Sequence, residues 1–146
     1  MAKKLKYQSL IEENQLQNNC PYDGCKEARL KAYRWSYNPI NSAHNFLPKN
    51  IYDKLMNTPP RGNSQDDFIK CSCCALSMFD SLEKAREKFS GFTSRVKLML
   101  GYTHIAEGEI VEADGIISDI KNGHLDVFEY EGIELKLKFQ IITPLN

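Results

Sequence analysis

The sequence lacks long apolar runs. No stretch approaches the roughly 18 consecutive apolar residues that a spanning helix requires, so no membrane segment is expected. The opening Met1-Ala2-Lys3-Lys4-Leu5-Lys6-Tyr7 carries the charge of a secretory leader. Gln8, Glu12, Glu13, Asn14 and Gln15 interrupt the apolar stretch that has to follow. Net charge is also missing: 19 Lys and Arg balance 19 Asp and Glu, which argues against a nucleic-acid-binding polycation. There is no P-loop, GxGxxG, HExxH, GxSxG or EF-hand pattern, which removes the common signatures of phosphate-loop, dinucleotide, zinc-protease, serine-hydrolase and calcium chemistry. The three histidines, His44, His104 and His124, are widely separated, and each reads as a surface or satisfied strand residue rather than a base or ligand. Cysteine is present in an odd number, five, with Cys73 and Cys74 adjacent. That makes a poor disulfide framework and points to a reducing cytosol.

What is present suits one ordinary domain. The chain has 146 residues, 42% hydrophobic and 26% charged, enough to bury a core without metal or disulfide staples. Residues 1–28 form a polar segment, expected to be flexible, with turn signals at Asn18-Asn19-Cys20-Pro21 and Asp23-Gly24. The main domain is expected over 29–146. Leu30 to Tyr37 alternates as a strand, with Tyr33, Trp35 and Tyr37 on one face. A long excursion, 40–67, contains Pro48, Pro59 and Pro60 and at most one short helix near Pro48–Met56. Phe68 to Phe79 suits a buried central strand. Asp80 or Ser81 caps a helix from Leu82 to about Phe89, and 92–100 fits either helix or strand. Tyr102 to Val111 reads as a strand. Lys121-Asn122-Gly123 joins Ile116–Ile120 to His124–Tyr130 as a hairpin. The alternation of Ile133, Leu135, Leu137, Phe139 and Ile141 with polar residues predicts a half-buried antiparallel strand. The expected fold is α+β: a mainly antiparallel sheet carrying one or two packed helices.

The cysteines also permit a zinc site. Cys20 and Cys25 have knuckle-like spacing, and Cys71 and Cys73 would share a face of a strand, so these four are the ligand set of choice. The charge, balanced overall, is divided along the chain. Between Ala106 and Glu134 nine acids face Lys121 alone, a net −8, while Lys84, Arg86, Lys88, Arg95 and Lys97 cluster around the predicted helix. The acidic face offers a docking surface to a basic protein, and the basic helix offers one to nucleic acid. Two oppositely charged halves that satisfy one another are the simpler reading.

One constellation carries an enzymatic reading. Arg34 sits in the aromatic strand Tyr33-Arg34-Trp35. Ser77 lies in Leu76-Ser77-Met78-Phe79, and Glu107-Gly108-Glu109 is a Glu-x-Glu pair on a later strand. In this order they resemble the arginine, serine and Glu-x-Glu pattern of the ADP-ribosyltransferase family. The resemblance implies that Arg34 binds the phosphate of NAD, that Ser77 orders the site, that Glu109 stabilises oxocarbenium character on the ribose, and that Glu107 positions the nucleophile. Leu76 and Met78 stand where that family has flanking hydroxyls. The wider layout, including Phe46-Leu47-Pro48 and His104-Ile105-Ala106, is similar to small bacterial proteins of unknown function, and that likeness implies no activity.

Taken together, the sequence leads to a cytosolic binding or interaction module without a cofactor. It would engage another protein through a charged face or the 40–67 loop. An NAD-consuming transferase and a zinc-stabilised module are the alternatives.

Overall fold

Apolar residues on both sides of the strands build one sheet with two covered faces. In the computed structural model, which describes residues 3–16, 19–59 and 66–146, the strands are β1 (Leu30–Ser36), β2 (Leu76–Phe79), β3 (His104–Ile110), β4 (Gly115–Ile117), β5 (His124–Glu129) and β6 (Gln140–Pro144). They form a six-stranded sheet in the order β4-β5-β2-β1-β3-β6, with every neighbouring pair antiparallel. The helices are α1 (Gln8–Glu13), α2 (Lys49–Leu55), α3 (Asp67–Ser72), α4 (Leu82–Ser90) and α5 (Ser94–Leu100). The fold is α+β. Among the described residues no helix is long and apolar enough to cross a membrane.

One sheet face presents Ala32, Leu76, Met78, Ala106, Ile110, Leu125 and Val127, and the irregular segments bearing Phe46, Leu135 and Phe139 close over it. The other face carries the helices in two groups. At the β4–β5 end, Leu5, Ile11 and Leu16 join Cys71 and Cys74 over Phe128. The polar segment at the start of the chain therefore lies against the sheet, with Leu5 bridged to Tyr130 and Lys26 to Ile117. At the β1–β3 end, Ala85 and Phe89 of α4 pack with Phe79, Ile105, Trp35 and Tyr33.

Local signals hold where the chain interacts with itself nearby. Ser81 accepts a hydrogen bond from the Lys84 N–H and starts α4. Asn122 and Gly123, with φ of 52° and 81°, make the tight turn into β5. The ambiguous 92–100 stretch is helical, with Thr93 capping α5.

Two expectations are corrected. The predicted strand from Phe68 splits into α3, whose cap Asp66 accepts from the Phe68 N–H, and the short β2. Cys71 to Cys74 thus leave a helix rather than run along a strand. The alternation from Ile133 is also not a strand. Leu135–Lys138 is a 3₁₀ turn, and β6 begins only at Gln140. The physical reason lies in β5. The buried Glu129 carboxylate accepts from the Leu135 N–H at 3.0 Å, which pulls the segment across the sheet and drives Leu135 into the core.

Glu129 makes a testable contribution to stability. Burial holds its carboxyl above the ordinary value of 4.5, while the Leu135 N–H and Lys6 act in the opposite direction. A carboxyl raised on folding favours the native state in its protonated form. That contribution is complete below 4.5 and is lost as pH rises through the raised value. Glu129→Gln is expected to flatten the decline. Urea unfolding of both proteins from about pH 4 to about pH 8 measures it, and parallel stability curves would refute it.

Candidate functional site

Between the two helix groups the sheet is left open around His124, and the site is built there. Strands β1 and β2 are in register at one pair, Tyr33 opposite Phe79. Alongside it the Arg34 guanidinium crosses from β1, donating from Nη1 to the Ser77 carbonyl at 2.6 Å and from Nη2 to the Leu47 carbonyl at 3.3 Å. Its partner Leu47 is placed by Asn45. The Asn45 Oδ1 accepts from the Tyr37 N–H, and its Nδ2 donates to the carbonyls of Tyr37, Pro39 and Ile40. That knot seats Phe46 over the guanidinium, 5.4 Å from ring centroid to Cζ, and sets Lys49 at the start of α2.

The resulting cleft has a volume of about 180 Å³. Arg34, Lys49 and Lys88 supply its positive charge, and Trp35, Phe79 and Tyr102 are among its walls. Among the described residues no carboxylate lines it. Trp35 is fixed by its Nε1–H, which donates to the Ala85 carbonyl at 2.9 Å, and by the rings of Phe79 and Phe89 at 5.2 and 5.5 Å.

His124 forms the far wall. Its Nε2 lies 2.5 Å from Ser77 Oγ and 4.0 Å from Asp126 Oδ1. Asp126 is itself held by Tyr22, whose hydroxyl donates at 2.6 Å, and by the Ser72 hydroxyl of α3 at 3.1 Å. Burial lowers the His124 pKa below its ordinary 6.5, Asp126 opposes this, and Lys49 and Lys88 add to it. Burial and the hydrogen bond to Asp126 hold the Tyr22 phenol well above its usual range. A neutral imidazole, backed by a hydroxyl and a carboxylate on one nitrogen, is the arrangement used to accept or give a proton through the other.

The residues singled out from sequence are divided by the fold. Arg34 and Ser77 meet at the cleft. Glu107 and Glu109 do not line it. Glu109 is well exposed and pairs with Arg29 at 3.5 Å, and Glu107 lies 4.0 Å from Lys31. The acidic stretch is largely paired internally: Arg29 also meets Glu112, Lys138 meets Asp114, and Lys6 meets Glu129 and Glu134. Of the 40–67 excursion, residues 60–65 lie outside the described residues, and 49–55 supplies α2.

The zinc set is corrected. Cys20 and Cys71 are joined as a disulfide, with Cα atoms 5.5 Å apart, so two of the four proposed ligands are already bonded to each other. Cys73 is buried at the end of α3, and Cys25 is half-buried. Among the described residues no group of three or more His, Cys, Asp and Glu is arranged to hold a metal ion.

His124, expected as a surface or satisfied strand residue, stands with Asp126 beside Ser77. Their i, i+2 spacing does put both on one face of a strand, but nothing local reveals that Ser77, 47 positions away, lies opposite. Comparison with known proteins finds no matching family model, no matching curated protein and no matching solved structure, so the site is read from its own chemistry.

Proposed function

We propose that the protein binds a small aromatic anion, of the nucleotide type, in the cleft between β1 and β2. The observation that carries this reading is the lining itself, which among the described residues has three cationic side chains, several aromatic rings and no carboxylate. In a partly enclosed site the field of Arg34, Lys49 and Lys88 is screened less than on open surface, which favours a phosphate or carboxylate. The rings offer a base or aryl group an apolar wall. Arg34 is a fixed charge, because the Ser77 and Leu47 carbonyls orient it before any ligand arrives. The volume suits one ring with its anionic group, and NAD would have to extend beyond it.

Trp35 is the single tryptophan of the chain and belongs to this wall, so its fluorescence reports occupancy directly. Titration with AMP, NAD, benzoate and inorganic phosphate is expected to give saturable quenching by the aromatic anions. Lys88→Ala is expected to weaken AMP binding about tenfold, the scale of one lost charge-assisted contact. Unchanged emission with every member of the panel would reject the reading.

A further inference from the structure

His124 is shared by more than the cleft. A second depression, of about 650 Å³, adjoins it, and the two have Phe79, Lys88, Phe92 and His124 in common. The second depression adds Lys84, Glu87, Gly91, Lys121 and Asn122, with Lys84 paired to Glu87 at 3.7 Å. A ligand filling both would place an aromatic group in each and lay its linking group across Lys88 and His124. A phosphodiester is the linker that suits a cation and an imidazole together.

The imidazole has a definite direction. Ser77 Oγ and Asp126 both lie on the Nε2 side, and the carboxylate favours the proton there. Nδ1 makes no hydrogen bond among the described residues, which leaves its lone pair for a ligand. The groups facing the ring are Ser77 of β2, Asp126 of β5, Lys49 of α2 and Lys88 of α4, with the Phe79 ring 5.5 Å away edge-on. The two lysines disfavour protonation and Asp126 favours it, with burial adding to the lysines.

We infer that the substrate class of this site is a ribodinucleotide phosphodiester, and that His124 Nδ1 accepts the proton of the ribose 2′-hydroxyl as that oxygen attacks its own phosphorus. The inference rests on the reading that the cleft binds an aromatic anion. A 2′-hydroxyl brings the nucleophile within the substrate, so the step requires a base, positive charge and no further reactant. The 2′-O–P bond forms and the P–O5′ bond breaks. The 5′-oxygen takes a proton from water and leaves as an alcohol, and the resulting hydroxide takes the proton from the imidazolium. The products are a 2′,3′-cyclic phosphate and a nucleoside with a free 5′-hydroxyl. Ser77 and Asp126 act as positioning residues. The balanced net charge of the chain does not weigh against this, because Arg34, Lys49, Lys84, Lys88 and Lys121 outnumber the carboxylate Glu87 at the two depressions.

The test uses adenylyl-(3′→5′)-adenosine and its 2′-deoxy analogue, with Trp35 emission for binding and chromatography with mass detection for products. Both dinucleotides are expected to quench Trp35, and only the ribose form to yield the 2′,3′-cyclic phosphate. His124→Gln, purified in parallel, is expected to lose cleavage by at least about 100-fold, a larger factor than its loss in binding the deoxy analogue. Ser77→Ala is expected to slow cleavage less and to move the pH profile, since it releases Nε2. Binding of both dinucleotides without cleavage would overturn the inference and leave the binding reading standing. Binding of neither would overturn both. Equal cleavage by wild type and His124→Gln would assign the activity elsewhere and reject the role of His124. The deoxy comparison on wild-type protein needs no variant, so a poorly folded variant does not spare the inference.

Discussion

Reduction of the Cys20–Cys71 bond is expected to lower the melting temperature by roughly 10 °C. The bond closes a loop across a sequence separation of 51 and ties the start of the chain to α3. Removing such a crosslink restores chain entropy to the unfolded state, a loss of about 4 kcal/mol in the chain-entropy description. The loss falls at the β4–β5 end, where Cys20 and Cys71 pack with Ile11, Leu16 and Phe128. Thermal unfolding with and without a reductant, beside a Cys20→Ala/Cys71→Ala variant, measures it. Alkylation of the unreduced, denatured chain should modify three of the five cysteines, Cys25, Cys73 and Cys74. An unchanged melting temperature, or five modified thiols, would refute the pairing. Burial raises the Cys25 and Cys74 thiols to about 11, so neither is poised to attack the bond. The pairing also bears on compartment. A reducing cytosol would leave the same two residues as thiols, and the chain would have to fold without this contribution.

Leu135→Ala should cost about 2–5 kcal/mol, whereas Leu137→Ala should stay within about 0.5 kcal/mol of wild type. The contrast separates two conformations of one segment. In a strand, residues two apart share a face, and both leucines would be buried together. In the 3₁₀ turn that forms, Leu135 is fully buried while Leu137 is 81% exposed. Leu135 enters the cluster with Phe139 and Ile110, and its truncation leaves a cavity that the neighbouring sheet cannot close. Comparable losses for the two variants, read by urea unfolding, would restore the strand. The same arrangement explains Gly108, where an added Cβ would meet the Phe139 ring at 2.5 Å.

The functional expectations follow the same division. The cleft is lined by both Arg34 and Ser77. It excludes Glu107 and Glu109, which remain in surface ion pairs with Lys31 and Arg29. In their place the structure brings His124 to Ser77. Trp35 emission, Lys88→Ala and the two dinucleotides therefore interrogate a different set of side chains from those a Glu-x-Glu reading would test.

The elements that the sequence determined by itself are those whose causes lie within a few residues. Asn122-Gly123 adopts positive φ and makes the hairpin, Ser81 caps α4, and the alternation in Leu30–Ser36 makes β1. These follow from local sterics and from side-chain period alone. Tertiary structure decided the rest. The apolar alternation after Ile133 yielded to a hydrogen bond from the Leu135 N–H to Glu129 of β5. Cys20 found Cys71, and Ser77 found His124, across separations of 51 and 47 residues. Arg34, a polar residue on the buried side of its strand, was accommodated because the Ser77 and Leu47 carbonyls accept from its Nη1 and Nη2. For Cys20, Ser77 and Arg34 the deciding partner is distant along the chain and adjacent only after the sheet has formed, while Glu129, close in sequence to Leu135, acts through a carboxylate that the formed sheet buries, so no local pattern carries any of them.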